Sequence, residues 1–464
     1  MVVTALVVGA LASAAAAHAD PVFVVKGRGW GHGIGMGQYG AQGFAQQGWG
    51  HERILLHYYP GTRLGSAEPR QVRVLLAESA KRVEISSPRP FRIVDGAGRT
   101  ATLPARKLAL GPGLVVKLRG KDVRLRAPVR FEGGAAPVAL DGKPYRGALV
   151  VRAGGGSLTV VNHVTLERYL NGVVPYEMPN HWHPEALKAQ AVVARSYALA
   201  TLAPKQHWDL YDDQRSQVYG GVAAETPATN RAVGATAGRV LFHGGRIATT
   251  FYHSTSGGRT ANVTDVWPRA EPVPYLRAVD DPHDRRSPHH TWGPVRLTGA
   301  QLAARLGAPA LARAADLTVT RNASDRVAQV RVRTPQGTRA VDPTEFRRAL
   351  ELRSTWFQVG VLDLRAPGTK AERGEPVELR GIARNLEAPV IQRRDGGTWR
   401  QVARVRPGAD GAFTVSVRAG DGGVFRVAAE RIAGPEVRVE VAAARKPAGY
   451  RALDAAALAR LLPE

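Results

Sequence analysis

Glu177 is the residue in this sequence best suited to acid–base chemistry. It stands in the segment PYEMP, between Pro175 and Pro179, and the two prolines predict a short irregular loop that follows a strand and precedes a long helix. The aromatic neighbours Tyr176 and Trp182 would remove water from the carboxyl group and raise its pKa, which suits it to donate a proton as a glycosidic general acid does. In the alternative interpretation, Glu177 has a structural role and interacts with the dipole of the following helix.

A run of alternating glycines, GRGWGHGIGMG, extends from Gly27 to Gly37. It lacks the Lys-Ser/Thr pair of a phosphate-binding loop, and no strand-to-helix unit surrounds it, so nucleotide binding is not predicted. Glycines let the backbone approach a sugar chain closely, and His32, Gln38 and Trp30 would then offer polar contacts and a stacking surface. A glycine-rich turn that packs against a sheet is the structural alternative.

Hydroxyl groups are concentrated in the STSGG segment at residues 254–258. Ser254, Ser256 and Gly257 are expected to offer hydrogen bonds to a glycan. Ser254 is a poor candidate for a nucleophile, because the sequence identifies no triad partner for it.

The elements that would position these residues are both helices and strands. Pro184 opens the segment PEALKAQAVVARSYALATLA, whose apolar residues recur at helical spacing and predict a helix of about five turns. Short alternating apolar runs from Val72 to Val161 predict strands and hairpins. Two further helical patterns, LTGAQLAARLG and DPTEFRRALELR, flank a predicted strand pair, so residues 20–360 are expected to form a β-rich α+β domain.

The pattern changes after Phe357. Short apolar strands alternate with DGG, DG and GDGG turns, which predicts an antiparallel, immunoglobulin-like β-sandwich over residues 361–445. Residues 446–464 would form a C-terminal tail. Trp399 lies within one of the predicted strands, where core packing is the expected role.

The composition is that of a folded protein. The chain has 464 residues, of which 44% are hydrophobic and 22% are charged, and this length allows two or three domains. The formal charge of +25 is compatible with a polyanionic partner such as an acidic wall polymer. Because the basic residues are spread along the whole chain and no nucleic-acid-binding motif accompanies them, no nucleic-acid partner is predicted.

The sequence contains no cysteine, which excludes disulfides, Cys-ligated zinc and thiol nucleophiles. A metal would have to be bound through His and carboxylate side chains, and His181, His183 and His207 are the remaining candidates. A His-x-His pair on a loop is more often a surface feature than a metal site, so neither a metal nor a cofactor is predicted.

Residues 1–19 are apolar and end on Ala17-His18-Ala19, a pattern typical of a signal peptide that is cleaved before Asp20. We therefore expect a secreted, extracytoplasmic protein. The alternative is a weak N-terminal membrane anchor, although an apolar run this short is marginal for spanning a bilayer.

Several motifs occur in a combination that resembles the SpoIID/LytB family, also known as the stage II sporulation protein D or amidase-enhancer type. They extend from Gly27 to about Phe357 and comprise GRGWGHGIGMGQYGAQGFAQQG, ILLHYYPGTRL, YLNGVVPYEMP, EALKAQAVVARSYAL, QVYGG, STSGGRT, VWPRAEPVPYLRAVDD and FRRALELRSTWF. Their number makes a chance match very improbable.

The resemblance implies a protein that acts on peptidoglycan, either as a lytic transglycosylase that cleaves the MurNAc-GlcNAc bond or as a non-catalytic module that stimulates a wall amidase. It also places the catalytic acid at Glu177, the glutamate of the P-x-E-M motif. Transglycosylation needs one carboxyl group, which protonates the leaving oxygen and then acts as base while the muramyl 6-hydroxyl closes an anhydro ring. Hydrolysis would usually need a second carboxylate, and the candidates are Asp209, Asp212, Asp213 and Asp265.

A peptidoglycan glycan strand is therefore the expected partner. The residues predicted to contact it are His32, Gln38, Tyr176, Lys188, Arg195, Ser254, Ser256 and Gly257. Lys188 and Arg195 lie on one face of the predicted helix, where they would either meet the carboxylates of muramyl lactyl groups or remain solvated. Some family members hold zinc at a cysteine cluster before QVYGG, but residues 211–216 contain no cysteine here.

The order of the motifs departs from the family pattern at one point. The GHGxGM segment follows the equivalent of RSTWF in many members, whereas here it comes first, as a circular permutation would leave it. The chain near Lys26 must then start close to where the RSTWFQV segment ends. We predict that residues 24–28 pair with residues 356–359, and that residues 31–38 line the same groove as Glu177 and residues 254–258.

Overall fold

The computed structural model describes residues 20–118, 120–203, 207–368, 370–418, 420 and 422–442. The predicted signal peptide (residues 1–19) and tail (residues 446–464) lie outside the described residues. Strands and helices are interspersed along the described part of the chain, which confirms a β-rich α+β fold. None of the described helices is long and apolar enough to cross a membrane.

The first part of the chain contains a long strand, the glycine run and two helices. Its elements are β1 (Val22–Arg28), β2 (Met36–Gly37), α1 (Gln38–Gln46), α2 (His51–Tyr58) and β3 (Arg63–Ser66). Phe44, Ile54, Leu55 and Tyr58 of the two helices are buried in a core that they share with α4, described below.

Twelve further strands confirm the β-rich region predicted from Val72 onward. They are β4 (Gln71–Ala80), β5 (Val83–Ser87), β6 (Phe91–Val94), β7 (Thr100–Leu103), β8 (Arg106–Leu110), β9 (Val115–Leu118), β10 (Lys121–Arg124), β11 (Val129–Gly133), β12 (Val138–Leu140), β13 (Lys143–Tyr145), β14 (Ala148–Gly154) and β15 (Ser157–Thr165). Most of them belong to a seven-stranded and a four-stranded sheet. Phe91, Phe131 and Leu149 lie in the core that these sheets share with the next helix.

The central part of the chain carries the helices predicted to position the site. Its elements are α3 (Leu166–Glu177), α4 (Pro184–Ala200), β16 (Leu210–Tyr211), a 3₁₀ helix (Gly221–Ala224), α5 (Pro227–Ala235), β17 (Arg239–His243), β18 (Arg246–Ile247), β19 (Tyr252–His253), α6 (Val263–Val266) and a 3₁₀ helix (Pro282–Arg286). α4 begins at Pro184 as predicted. Its small side chains allow contact with two cores at once, because Ala191 and Ala194 face the sheets while Ala189 and Val193 face the core around α1 and α2.

The prediction of a loop around Glu177 is wrong. α3 passes through Pro175 and ends at Glu177, so the carboxyl group lies on the last residue of a helix. Pro175 has no amide hydrogen to donate, but the amide of Met178 still donates to the carbonyl of Val174 at 3.0 Å. The helix ends there because Met178 precedes Pro179, which disfavours a helical conformation for the residue before it.

The next part of the chain leads to the strand that pairs with β1. Its elements are β20 (Thr291–Leu297), α7 (Gly299–Leu306), a 3₁₀ helix (Pro309–Leu311), β21 (Asp316–Arg321), β22 (Val327–Thr334), β23 (Gly337–Val341), α8 (Pro343–Ala349) and β24 (Phe357–Arg365). β1 pairs antiparallel with β24, with Val25 opposite Val359 and Gly27 opposite Phe357. This pairing confirms that the chain near Lys26 runs beside the RSTWFQV segment.

The last six strands complete one sheet and form a second sheet that packs against it. They are β25 (Pro376–Arg384), β26 (Val390–Asp395), β27 (Thr398–Arg404), β28 (Ala412–Arg418), β29 (Gly423–Ala429) and β30 (Ile432–Val439). One sheet has the order β20-β1-β24-β25-β28 and the other β27-β26-β29-β30, and Leu362, Leu364, Phe425 and Val427 are buried in their common core. The predicted domain boundary between residues 360 and 361 falls inside β24, so the first sheet includes strands from both predicted domains.

Trp399 does not pack in the core as predicted. It is half-buried on β27, and its ring lies 4.0 Å from the Arg426 guanidinium carbon and 4.9 Å from that of Arg394. Cation–π contact with arginine therefore replaces the expected apolar packing.

A chain that ends at Ala366 is expected to be less stable than the full chain. It keeps β24 but loses β25 and the sheet that covers Val24, Leu362 and Leu364, and exposing each of these side chains costs about 1.5–3 kcal/mol. Thermal unfolding followed by circular dichroism should show a lower Tm. A chain that ends at Ala442 retains both sheets and serves as the control; an unchanged Tm for the shorter chain would contradict the prediction.

Candidate active site

Glu177 lies at a cavity of about 430 Å³. The lining residues come from the glycine run, α3, α4, the segment after β16, the segment around β19 and the end of α6. They are His32, Glu177, Tyr197, Gln214, Ser216, Gln217, Val218, Phe251, Tyr252 and Trp267. Among these described residues, Glu177 is the one carboxylate.

Both oxygens of the Glu177 carboxyl group have protein partners. The Tyr252 hydroxyl donates to Oε1 at 2.9 Å, and Nε2 of Gln38 donates to Oε2 at 3.4 Å. Nε2 of Gln217 donates in turn to the Tyr252 hydroxyl at 3.0 Å. Because an amide N–H cannot accept, the Tyr252 hydroxyl hydrogen is left to point at Glu177.

The surroundings of Glu177 favour its protonated form. Burial raises the pKa of Glu177 above its ordinary value, and the hydrogen bonds from Tyr252 and Gln38 partly offset the rise. No lysine or arginine is among the described residues that line the cavity. A carboxyl group that keeps its proton to higher pH than usual can act as a general acid.

A short parallel pairing brings Gln38 and Tyr252 to the carboxyl group. β2 pairs with β19, with Met36 opposite Tyr252, and Gln38 follows β2 as the first residue of α1. The close approach of these two strands requires Gly35. This residue has φ +70°, and a Cβ on it would lie 2.0 Å from the carbonyl oxygen of Phe251. Glycine tolerates both the left-handed conformation and the close contact.

His32 lines the same cavity as Glu177, as predicted. Its Nδ1 accepts a hydrogen bond from the amide of Ile34 at 3.0 Å, so the neutral ring carries its proton on Nε2. Burial and the guanidinium groups of Arg326 and Arg347 lower the pKa of His32 to about 4. His32 is therefore an uncharged side chain at neutral pH, with Nε2–H as its donor.

The segment 254–258 packs against the glycine run and not along the cavity. The amides of Ser256 and Gly257 donate to the carboxylate of Asp284 at 2.9 Å each, and Ser256 is fully buried. The predicted substrate contacts of Ser256 and Gly257 are therefore corrected, because these groups hold the loop in place. Ser254 is partly exposed but is not among the described residues that line the cavity.

Lys188 and Arg195 do not form the predicted substrate-facing pair. Arg195 is fully buried and donates to both oxygens of Glu167 at 2.9 and 2.7 Å. Lys188 forms an ion pair with Glu185 at 2.6 Å. The prediction for Arg195 is corrected, since its guanidinium joins α3 to α4 and is closed to solvent; Lys188 is absent from the described lining of the cavity.

Aromatic side chains extend the apolar surface near Glu177. Tyr176 is 60% exposed and its ring lies against Gly220, beside the cavity and not in its described lining. Phe251 and Trp267 do line the cavity, and their ring centroids are 4.8 Å apart in an edge-to-face arrangement. These two aromatic residues were not predicted as site residues.

None of the four candidates for a second carboxylate is among the described residues that line the cavity. Asp209 pairs with Arg73 at 2.6 Å and Asp213 pairs with Arg215 at 2.8 Å. Asp265 accepts a hydrogen bond from Asn262 at 2.7 Å. Asp212 is half-buried, and burial raises its pKa.

The candidate metal-binding histidines are not clustered. His181 and His207 are exposed, and Nδ1 of His183 accepts from the amide of Glu185 at 3.3 Å as the N-cap of α4. In the part of the chain that the structure describes, no group of three or more His, Asp or Glu side chains is arranged to hold a metal ion. That the protein uses neither a metal nor a cofactor stays a prediction.

A buried carboxyl group, Asp281, lies beneath the start of α1. A Cβ on Gly37 would lie 2.6 Å from Oδ2 and one on Gly40 would lie 2.0 Å from Oδ1, so both glycines make room for it. The hydroxyls of Tyr58 and Ser256 lie near, but neither oxygen of Asp281 has a well-formed hydrogen bond among the described residues. Burial, reinforced by the neighbouring Asp284, raises the pKa of Asp281 to about 8.

Comparison with known proteins identifies relatives of this chain. Residues 154–243, which include α3 and α4, match the SpoIID family model, described as Stage II sporulation protein. The chain is 35% identical over 204 residues to the "Amidase enhancer" of Bacillus subtilis, a region that covers 44% of this chain and 27% of that protein. It is 34% identical over 196 residues to the "Stage II sporulation protein D" of the same organism, covering 36% of this chain and 56% of that protein.

A protein of the same name from Bacillus amyloliquefaciens is 33% identical over 147 residues, which cover 28% of this chain and 42% of that protein. The chain thus spans between about a quarter and somewhat more than half of the length of these relatives. No solved structure matches it. These comparisons confirm the family resemblance predicted from the sequence motifs.

Replacement of Tyr252 with Phe is expected to raise the pKa of the Glu177 carboxyl group further. The hydrogen bond from the Tyr252 hydroxyl lowers this pKa, and Phe removes the donor while it keeps the ring. A ¹³C NMR titration of carboxyl-labelled glutamate measures the change, with the Glu177 resonance assigned by its loss in Glu177→Gln. Tyr197→Phe alters another hydroxyl at the same cavity and should leave the pKa unchanged; a lower pKa in Tyr252→Phe would refute the prediction.

Asp281→Asn is expected to reduce the loss of stability with rising pH. The folded-state pKa of about 8 exceeds the unfolded value of about 3.9, so the folded protein holds a proton that the unfolded chain releases, and the free energy of unfolding falls between these two pH values. Asparagine fills the same space without a titrating proton. Between pH 5 and pH 8, the Tm of Asp281→Asn should fall less than that of the parent. Asp122→Asn, which changes an exposed carboxylate, is the control and should follow the parent. An equal fall of Tm with pH in all three proteins would contradict the prediction.

Proposed function

Because this chain belongs to the SpoIID/LytB family, we propose that it is an exported cell-wall enzyme that cleaves the MurNAc-GlcNAc bond of peptidoglycan glycan strands by lytic transglycosylation. The observation that carries the proposal is the environment of Glu177. Its carboxyl group has a raised pKa and is the one carboxylate in the described lining of its cavity. One carboxyl group meets the needs of transglycosylation, whereas hydrolysis usually employs two.

In the first step, protonated Glu177 donates its proton to the glycosidic oxygen, and the bond from that oxygen to C1 of the muramyl sugar breaks. The GlcNAc residue leaves with a new hydroxyl group. Tyr252 and Gln38 donate hydrogen bonds to the carboxylate that remains. These donors are in place before the charge forms, so they stabilise it without rearrangement.

In the second step, the Glu177 carboxylate removes the proton from the C6 hydroxyl of the same muramyl sugar. The C6 oxygen bonds to C1 and closes the 1,6-anhydro ring, so Glu177 regains its proton and no water is consumed. The aromatic rings of Phe251 and Trp267 at the cavity favour exclusion of water from the reacting centre. The neutral ring of His32 lines the same cavity and offers a further contact to the bound sugar.

A second function, the stimulation of a wall amidase without glycan cleavage, is favoured by the name of one relative, the "Amidase enhancer" of Bacillus subtilis. In that case the cavity would bind peptidoglycan, Glu177 would serve as a polar contact and a wall amidase would be the partner. The raised pKa of Glu177 supports the catalytic function over this one, because a binding contact has no need of a carboxyl group that retains its proton.

We further propose that residues 1–19 direct export, that residues 20–360 form the catalytic domain in a permuted order, and that residues 361–445 form an immunoglobulin-like sandwich. The strand order supports the last assignment, because β24, β25 and β28 lie in one sheet while β26, β27, β29 and β30 lie in the other. Its proposed role is to hold the enzyme near an anionic wall polymer.

Glu177→Gln is expected to lower the rate of glycan cleavage by about 10²- to 10⁴-fold, because the amide keeps the shape of the side chain but cannot cycle a proton. The assay incubates purified protein with glycan strands freed of stem peptides and detects anhydro-muramyl ends by mass spectrometry. Glu378→Gln changes an exposed carboxylate on β25 and should cleave at the parent rate. Undiminished cleavage by Glu177→Gln would show that another residue is the general acid.

The same assay separates the two functions. Anhydro-muramyl ends produced by the parent chain support the enzyme. Intact strands, together with a faster release of stem peptides when a wall amidase is added, would support the amidase enhancer instead.

A further inference from the structure

A second cavity, of about 370 Å³, lies at one end of the five-stranded sheet. Its wall is built from the last residues of β1, the first residues of β20 and β24, and the end of β21. The side chains that give it chemical character are two indoles and three cations, namely Trp292, Trp356, Lys26, Arg28 and Arg321. We call it the tryptophan cavity; no Asp or Glu is among its described lining residues.

The Trp292 indole is held against the backbone with an unused donor. Its ring packs on Gly27, where a Cβ would lie 2.2 Å from the nearest ring atom. Its indole N–H is buried and has no hydrogen-bond partner among the described residues. A buried donor without a partner costs about 1–3 kcal/mol, so an acceptor on a bound ligand would be stabilising there.

The Trp356 indole is held more firmly. Its Nε1 donates to the carboxylate of Asp325 at 3.2 Å. The guanidinium carbons of Arg28 and Arg326 lie 5.7 and 5.6 Å from the ring centre. The ring therefore has a fixed orientation before any ligand binds.

Arg28 is the cation that the tryptophan cavity leaves available. Lys26 forms an ion pair with Glu430 at 2.6 Å, and Arg321 approaches Asp325 at 3.5 Å. Arg28 is exposed, and among the described residues its guanidinium contacts the Trp356 ring and forms no ion pair. A guanidinium in this state can form two parallel hydrogen bonds to a ligand carboxylate.

The tryptophan cavity is close to the cavity of Glu177. His32, which lines that cavity, lies four positions after Arg28 in the chain, and four residues of chain span at most about 14 Å. Arg326 contacts Gly33 beside His32 and also lies near the Trp356 ring. Trp30, between the two cavities in the chain, is 45% exposed.

We propose that the tryptophan cavity is a second sugar-binding subsite, which takes an N-acetylated pyranose that bears a carboxylate. The indoles offer flat apolar surfaces to the sugar ring, Trp292 Nε1–H donates to the acetamido oxygen, and Arg28 pairs with the carboxylate. A muramyl residue has both groups. This inference rests on the proposed function, because it identifies the ligand as a glycan strand that extends from the Glu177 cavity.

The test measures binding by titration calorimetry in the full chain carrying Glu177→Gln, so that the ligand is not consumed. The probe is soluble glycan strands freed of stem peptides. Adding Arg28→Gln should weaken binding about 10-fold, as expected for one lost charged hydrogen bond, and Trp292→Phe should weaken it as well. Arg53→Gln is the matched control, because Arg53 is another exposed arginine that stacks on a tryptophan, at 3.7 Å from the Trp49 ring, and it should bind as the parent does.

A neutral probe, oligomers of N-acetylglucosamine, separates charge from stacking. The loss in Arg28→Gln should appear with muramyl strands and not with the neutral oligomers, whereas the loss in Trp292→Phe should appear with both. Tm values show whether each variant is folded. Because Arg28 is exposed, Arg28→Gln is expected to fold, and it tests the proposal even if Trp292→Phe misfolds.

Strand binding by Arg28→Gln as tight as that of the parent would overturn the proposal, and so would the absence of strand binding in the Glu177→Gln chain. The readout is binding and not cleavage. Arg28-dependent binding in the Glu177→Gln chain, together with a parent chain that cleaves no strands, would therefore support the subsite and refute the proposed enzyme.

Discussion

The candidate site depends on one short interaction, the parallel pairing of Met36–Gly37 with Tyr252–His253. This pairing joins segments more than two hundred residues apart in the chain and places Gln38 and Tyr252 on either oxygen of Glu177. The pairing in turn requires a glycine at position 35, because any side chain there would strike the carbonyl of Phe251. The alternating glycines are thus explained by close packing of the backbone, without reference to a ligand.

Burial keeps several of the titratable groups beneath the glycine run uncharged. The pKa of His32 and that of His253 are lowered mainly by burial, and the pKa of Asp281 is raised by it. Arg326 keeps its charge, since burial lowers its pKa only to about 10. Its positive charge helps to keep both histidines neutral, so His32 is suited to hydrogen bonding and not to proton exchange near neutral pH.

Sequence patterns predicted the elements that depend on local spacing. The helix from Pro184, the strands after Val72 and the pairing of β1 with β24 all follow from periodicity, turn residues or motif order. The burial of a side chain by a distant part of the chain could not be predicted in this way. The helical spacing alone predicts that Arg195 lies on an exposed face of α4. In the structure α4 is covered on nearly all sides, and α3 and β17 pack around Arg195.

The remaining differences have the same origin. Pro175 was expected to break the chain into a loop, but a proline in the last turn removes a single hydrogen bond and a helix tolerates that. Ser256 and Gly257 were expected to contact a ligand, but Ser256 is fully buried and the amides of both residues donate to Asp284, a buried carboxylate from a distant segment. Tyr252 has no distinguishing signal in the sequence, since it becomes a site residue only through its partner strand.

The five-stranded sheet links the C-terminal strands to both cavities. β1 is held between β20 and β24. Its last residue, Arg28, lines the tryptophan cavity, and His32, four positions later, lines the Glu177 cavity. Because β24 is held in turn by β25, the position of the glycine run is determined by strands that never contact Glu177. The C-terminal sheets can therefore influence the site through the geometry of β1 without contributing a side chain to it.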